Sequence, residues 1–239
     1  MTGHEENKIP MLSKRMKLAA DMITKGSRVA DIGCDHGYVS IYLYKSGIAP
    51  VCIASDINRG PLEAARKNTE LFDAKGVELR LSNGLEKYKS SEVQSILIMG
   101  MGGSLIARIL KSRAEVARSA LELVLEPQSE YESVREIISE LGFSIVDEEM
   151  IAECGKYYPV IKAVRCENAE TMQKCELLYG PCLIKKKNPV LKEYLEREKK
   201  RLGDIIDELS GHVADKAQKR CNELKKELEY IEKAEEMMR

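Results

Sequence analysis

The sequence has no tryptophan and only two phenylalanines in 239 residues, so large aromatic platforms are scarce and ten tyrosines carry most of the ring surface. There are only three histidines, His4, His36 and His212, and none has partners at zinc-site spacing, so no metal is expected. The seven cysteines (34, 52, 154, 166, 175, 182 and 221) are odd in number and include no C-x-x-C pair. Several lie in apolar runs, a pattern that suits reduced thiols in a cytoplasmic protein. No apolar run approaches the ~20 residues of a membrane span, and the start, MTGHEENK, is polar and acidic, unlike a secretory leader. An excess of either charge is also missing. The 38 Lys and Arg stand against 39 Asp and Glu, a formal net charge of -1. That balance excludes a uniformly basic nucleic-acid binder and leaves room for a local basic face.

What is present points to an α/β fold. A hydrophobic content of 44% can fill one good α/β core plus a smaller unit. The chain is organised around Arg28 to Tyr38, RVADIGCDHGY, where Asp31, Gly33 and Gly37 have D-x-G-x-x-x-G spacing. An apolar run closes before the turn and an amphipathic stretch opens directly after it, so the expectation is strand, glycine turn, helix. Such a turn lets a ligand press on bare backbone, and in an open sheet this first crevice is where nucleotides lie. The alternative is an ordinary glycine-bearing turn.

Around this centre the chain reads in order. Leu12 to Ile23 is expected as an amphipathic helix, with Lys14, Arg15 and Lys17 on its polar face. These cations are either a plain solvated face or a phosphate contact at the mouth of the site. Strands are expected over Arg28–Ile32, Val51–Ser55, Val77–Leu81, Ser95–Met99 and Leu121–Leu125, alternating with helices. Asp56 ends the second strand some 20 residues past the turn, where a carboxylate can accept from ribose hydroxyls. Alone it could equally cap the helix near Pro61. Asn83 and Gly84 follow the third strand, and Asn83 offers both a donor and an acceptor to a base edge. Gly100-Met101-Gly102-Gly103 follows the fourth, leaving space for a flat substrate. The next helix, Ser104 to Arg113, is expected to bury Leu105, Ile106, Ile109 and Leu110. Glu126-Pro127-Gln128 ends the fifth strand and faces the same crevice. Only Ala152 to Tyr157 separates two final apolar runs, Phe143–Ile151 and Tyr158–Val164, so these must pair antiparallel.

Composition shifts after Arg165, giving an expected division at 1–165 and 166–239. From Pro189 onward two apolar seams appear: Leu191, Leu195, Leu202, Ile205, Ile206 and Leu209, then Ala217, Cys221, Leu224, Leu228, Ile231 and Met238. Glu235 fills the remaining seam position. The second seam steps by four and three, which is coiled-coil spacing, and a break at Ser210-Gly211 favours an antiparallel helical hairpin.

Four motifs carry a family resemblance: L-S-K-R at 12–15, A-D-I-G-C-D-H-G-Y at 30–38, S-N-G-L at 82–85 and G-M-G-G at 100–103. Together with the alternating strands and the terminal hairpin, they resemble the bacterial tRNA adenine-22 N1-methyltransferases, the TrmK family of class I S-adenosylmethionine-dependent enzymes. The resemblance runs from Leu12 to the C-terminus. It implies a Rossmann-like, mostly parallel seven-stranded sheet with a terminal antiparallel hairpin, followed by a C-terminal helical coiled-coil domain. It also implies a cytoplasmic enzyme whose cofactor is S-adenosylmethionine and whose partner is tRNA, with no membrane or metal, as a monomer or weak homodimer. Three departures stand out, since the family usually has Ser at Cys34, G-D-G-L at 82–85 and Q-P-N at 126–128.

The resemblance places the cofactor at Asp31, Gly33, Cys34, Gly37, Asp56, Ile57, Asn83, Gly84, Gly100 and Met101. The substrate side is Lys14, Arg15, Gly102, Gly103, Glu126 and Gln128. Adenine N1 attacks a sulfonium methyl directly, so alignment matters more than a strong base. A carboxylate near the exocyclic amine would stabilise the growing charge. Asp35 is the first candidate, with a helix cap as its alternative, and His36 is its neighbour. The amino-methyltransferase signature (Asn or Asp, Pro, Pro, aromatic) is missing after the fourth strand, which weighs against N6 methylation. Cys182 follows a proline, as cytosine C5 nucleophiles do, but lies beyond the sheet and reads as structural. Three alternatives stay open: a methyltransferase for another RNA or a small molecule, a nicotinamide-dependent oxidoreductase, and a non-catalytic RNA-binding protein.

Overall fold

The computed structural model describes residues 8–167, 171–210 and 215–239. His4, Gly211 and His212, and with them most of the polar start and part of the expected break at Ser210-Gly211, lie outside the described residues. Among those described, no helix is long and apolar enough to cross a membrane.

The chain alternates as expected: α1 (Lys14–Asp21), β1 (Val29–Ile32), α2 (Tyr38–Lys45), β2 (Cys52–Asp56), α3 (Arg59–Leu71), β3 (Val77–Leu81), β4 (Ser95–Met101), α4 (Gly103–Ser112), α5 (Ala114–Ser119), β5 (Glu122–Pro127), α6 (Tyr131–Glu140), β6 (Phe143–Glu153) and β7 (Lys156–Arg165). The seven strands form one sheet in the order β3-β2-β1-β4-β5-β7-β6. The first five are parallel and β7 runs antiparallel to both β5 and β6. The expected Rossmann-like sheet with a terminal antiparallel pair is therefore present.

Alternation along the central strands sorts two cores. Ala30, Ile96, Ile98, Leu123 and Leu125 pack with Ile106, Leu110 and Val134 on the α4–α6 face. Val29, Leu97 and Val124 pack with Ala19, Val39 and Leu43 on the α1–α2 face. Burial on both faces explains why these strands read as unbroken apolar runs.

Four local differences have physical causes. α1 starts only at Lys14, because Ser13 is its N-cap and accepts from the Met16 amide at 3.4 Å. Leu105 does not join the buried stripe of α4; it is 37% exposed, and Gly103 takes the inward position. α5 is absent from the sequence reading because six residues are too few to show a period. The same holds for α7 (Lys174–Tyr179) and α8 (Pro181–Lys185), which lie between the expected division after Arg165 and the seams that start at Pro189.

α9 (Pro189–Ser210) and α10 (Asp215–Met237) follow. They lie antiparallel: Lys199 bonds Glu235 at 2.8 Å, and Lys187 near the start of α9 donates to the Arg239 carbonyl at the end of the chain. The α10 seam passes through Ala234 rather than Glu235, whose charge sits at the flank facing Lys199. This pair is not detached from the sheet. Leu191, Leu195 and Leu202 share a core with Leu183, Ile184 and Met150 of β6.

Candidate active site

β1 is flanked by β2 on one side and β4 on the other, so the connections leave it in opposite directions and open a crevice at the carboxyl ends. The turn after β1 is tied down at once. The Gly33 and Cys34 amides both donate to the Ser55 carbonyl of β2, at 2.8 and 2.9 Å. Gly33 has φ +78°, a backbone setting that strains residues with a side chain, and the mobile end of Met101 lies over its bare face. Asp31 lies beneath the turn, 4% exposed, and accepts from Ser40 Oγ of α2 at 2.6 Å. Burial pushes its carboxyl up to about 6, against the Ser40 bond, which lowers it. Cys34 is buried beside it, and burial pushes its thiol up, leaving it unreactive.

Asp56 ends β2 at the rim. Its Oδ1 accepts from the Asn58 amide at 2.8 Å, and Asn58, not Asp56, is the N-cap residue of α3. Oδ2 is left to accept from a ligand. Ile57 beside it is 60% exposed, an apolar face at the crevice edge. Asn83 is exposed, but its amide nitrogen donates to Glu86 Oε1 at 2.7 Å. One N–H and the side-chain carbonyl remain for a ligand, so the donor and acceptor expected from sequence are both still present. Gly84 turns its bare side to α4, where a Cβ would meet Ile109 Cγ2 at 2.8 Å. The space a side chain would need is taken by helix packing.

The β4–β5 side is built around a bulge. Register slips between Met99 and Met101, and the Gly100 amide turns to Glu126 Oε2 at 2.7 Å. Arg15 of α1 donates to the same oxygen at 2.9 Å. Burial pushes the Glu126 carboxyl up, against the nearby Arg15 charge. Arg15 also lies 3.7 Å from Glu153 and stacks 5.1 Å above the Tyr158 ring. Lys17 pairs with Asp21. The expected row of free cations is thus corrected: Arg15 and Lys17 are engaged within the protein, and only Lys14 keeps an unpaired ammonium, its backbone amide donating to Glu153 at 3.1 Å. Gln128 is exposed beside Gly100, and its amide donates to the Met101 carbonyl at 2.9 Å. Gly103 does not line open space; a Cβ there would fall 2.3 Å from the Glu130 carbonyl, so it lets α4 meet the Ser129–Glu130 turn. Gly102 is less confined, with only the side-chain ends Ser129 Oγ at 3.2 Å and Glu130 Oε2 at 3.5 Å from where its Cβ would stand.

Asp35 holds φ +50°, an uncommon backbone setting that turns its largely exposed carboxylate outward. It is not the cap of α2, since Gly37 stands at that position. His36 Nε2 lies 3.5 Å from Asp35 Oδ1, and the His36 carbonyl accepts from Asn68 of α3 at 2.9 Å. Cys182 sits on α8, remote in sequence and element from this crevice, and burial raises its thiol to about 11. All seven cysteines are free.

Sequence reasoning missed Glu153 and Tyr158. Both belong to the terminal hairpin, and no local pattern announces a contact to a helix 139 residues earlier. The assembled edge can bind a ribose diol at Asp56 and a flat base over Ile57. It can seat a second planar group over Gly100, beside a buried carboxylate.

A family model described as a methyltransferase domain matches residues 12–161. The tRNA (adenine(22)-N(1))-methyltransferase of Bacillus subtilis (strain 168) is 32% identical over 204 residues, covering 83% of this chain and 86% of that protein. The crystal structure of the B. subtilis m1A22 tRNA methyltransferase TrmK superposes with a TM-score of 0.84 at 28% identity, over 95% of this chain and 99% of that one. M. capricolum TrmK, solved with the cofactor product S-adenosyl-homocysteine, superposes with a TM-score of 0.84 at 27% identity, over 96% and 100%.

Proposed function

This chain belongs to the tRNA (adenine-22-N1)-methyltransferase family, and from that premise we propose that it transfers a methyl group from S-adenosylmethionine to N1 of adenine 22, in the D-loop region of bacterial tRNA. The observation that carries the reading is the crevice itself. Its floor is the Gly33 turn bonded to Ser55, its ribose acceptor is the free Asp56 oxygen, and its far wall is the Gly100 bulge.

The residues present fit the cofactor. Asp56 Oδ2 would accept from the ribose hydroxyls, Ile57 would cover the adenine, and the Asn83 carbonyl would accept from its amine. Gly33, Cys34, Gly37, Gly100 and Met101 would bound the methionine end, with Asp31 holding the turn from below. When bound, S-adenosylmethionine supplies an electrophilic sulfonium methyl. The chain's own task is to align a neutral adenine N1 with it and exclude water. Asp35 and His36 stand at the outer lip, where they would contact the incoming nucleotide. Gln128 and Lys14 would hold the RNA. Adenine N1 lies on the Watson–Crick edge, so the target must leave its pair or stack first.

The segment from 166 acts as a helical coiled-coil domain packed against the catalytic domain at 1–165. Its antiparallel helices support this, the longer one spanning about 35 Å at ~1.5 Å per residue. Reaching past the crevice, it would steady a folded RNA by shape, with the enzyme a monomer or weak homodimer working in the cytoplasm.

The test is mass spectrometry of tRNA after incubation with the protein and labelled cofactor. N1-methyladenosine at position 22 is expected. No methyl incorporation, or a different modified nucleotide, would overturn the reading.

A further inference from the structure

Gln128 stands first after β5, and the fold pins its backbone. Pro127 pairs with Met101 across the β4–β5 bulge, and the Gln128 amide donates to the Met101 carbonyl at 2.9 Å. The side chain is left over. Other carboxamides are taken up within the protein: Gln94 Oε1 accepts from the Arg28 amide, Asn68 donates to the His36 carbonyl and Asn83 to Glu86. Gln128 is exposed, and its carboxamide has no hydrogen-bond partner among the described residues.

Its place is the substrate side of the crevice. Nε2 lies 3.7 Å from where a Cβ of Gly100 would stand, so the carboxamide borders the bare face of that exposed glycine. One residue further on, Met101 reaches back to Gly33, with its Cε over the turn that would hold the methionine end of the cofactor. Gly33, Met101, Gly100 and Gln128 therefore form a row that runs from the cofactor turn to a free carboxamide. A flat ring seated over Gly100 would meet that carboxamide at its edge.

We propose that Gln128 reads the target adenine on its Hoogsteen edge, with Oε1 accepting from the exocyclic N6 amine and Nε2 donating to N7. This rests on the adenine-N1 reading above. A carboxamide matches that edge with two bonds, and neither uses N1. The base is held while its N1 lone pair stays free to point at the methyl. When N1 attacks, that lone pair forms the N–C bond, the S–C pair stays on sulfur, and positive charge spreads onto N6. The bond from N6 to Oε1 then strengthens in the transition state. The surplus N6 proton leaves to solvent after transfer. Guanine presents two acceptors on this edge, O6 and N7, so half of the carboxamide faces a lone pair however it is turned. The family pattern has Asn at 128, which carries the same group on a stem shorter by one methylene.

The test is a cycle of kcat/KM measurements at saturating cofactor, with wild type and Gln128→Ala each given tRNA carrying adenine or 7-deazaadenine at the target. The 7-deaza base lacks the N7 acceptor, and any change in its N1 reactivity is common to both proteins and cancels in the cycle. Gln128→Ala should lose about 10–100-fold on adenine. The 7-deaza base should cost wild type about tenfold more than it costs the variant. S-adenosylmethionine affinity by calorimetry should stay within about twofold. The thermal melt should not move, because the side chain has no bond within the protein to lose. A Gln128→Ala rate equal to wild type would overturn the inference, and so would a 7-deaza penalty of equal size in the two proteins. A wild type that methylates no adenine N1 would instead sink the functional reading beneath it.

Discussion

Arg135 on α6 and Glu148 on β6 form an ion pair with 2.9 Å separation, 1% and 0% exposed, that clasps the helical tail to the sheet. Arg135 Nη1 also donates to the Leu177 and Leu178 carbonyls at 2.8 and 3.2 Å, at the end of α7. Glu148 Oε2 accepts from the Cys182 amide at 2.9 Å, at the start of α8. A single charge pair therefore closes the end of one tail helix and opens the next. Gly180 lies between them, where a Cβ would fall 2.6 Å from Glu148 Oε2.

Arg135→Ala leaves Glu148 buried and unpaired, and should cost about 3–5 kcal/mol. That corresponds to a melting temperature lower by roughly 10 °C for a chain of this size. Replacing both residues by apolar ones of similar volume should cost much less. Calorimetric unfolding checks it, and a loss under about 1 kcal/mol for Arg135→Ala would mean the pair is not what clasps the tail.

Asp56→Ala should weaken S-adenosylmethionine binding by ~1.5–3 kcal/mol for each charged hydrogen bond lost, roughly a tenfold or greater drop. Thermal stability should change little, since Asp56 makes only one short local bond, to Asn58. Isothermal titration is the measurement, and unchanged affinity would remove Asp56 from the ribose site.

Asp31 ties stability to pH. Its carboxyl titrates at about 6 in the folded protein, because of burial, and near 3.9 in the unfolded chain. Between those values the folded state holds the extra proton, so stability falls as pH rises from about 4 to about 6. The full cost, about 3 kcal/mol, persists above that window. Asp31→Asn keeps an acceptor for Ser40 and removes the cost. It should therefore gain on wild type as pH rises across this window and stay ahead at pH 7. A difference between the two proteins that is constant from pH 4 to 7 would refute the assignment.

The proposed RNA contacts are of two kinds, the Lys14 ammonium and the helical tail. Lys14→Glu should weaken tRNA binding and lower the salt slope by about 1, because its ammonium has no protein partner to lose. Arg15→Glu should instead destabilise the fold, since it places a carboxylate against buried Glu126. Ending the chain at Asn188 should leave cofactor binding and abolish methylation of whole tRNA, while exposing Leu183 and Ile184. tRNA affinity across a salt series decides the point. Full-length affinity and slope in the shortened protein would leave packing or dimerisation as the tail's role.

The architecture was readable because it is written locally. Apolar runs, glycine turns and the short gap between the last two apolar runs each follow from neighbours in the chain, so the alternation, the hairpin and the Gly33–Asp56 crevice could be placed from sequence; only the turn length differs, two residues (Cys154 and Gly155) where six were expected, because pairing extends both strands. The same local logic failed where backbone approaches decide. Gly103 read as room for a flat substrate, yet backbone carbonyls of Ser129 and Glu130 fill the space where its side chain would stand. Arg15 read as either a solvated cation or a phosphate contact, and only the fold shows β5 and β6 bringing Glu126 and Glu153 to it, from 111 residues away in the first case. Helices of five or six residues, α5, α7 and α8, show no period for a reader to find. The sequence by itself determined which strands and turns exist, because hydrophobic period and turn chemistry act within a few residues. Only the tertiary structure decided which charges are spent inside the protein and which acceptor, Glu126 Oε1, is left without a partner, because burial and pairing depend on elements that meet only once the chain has folded.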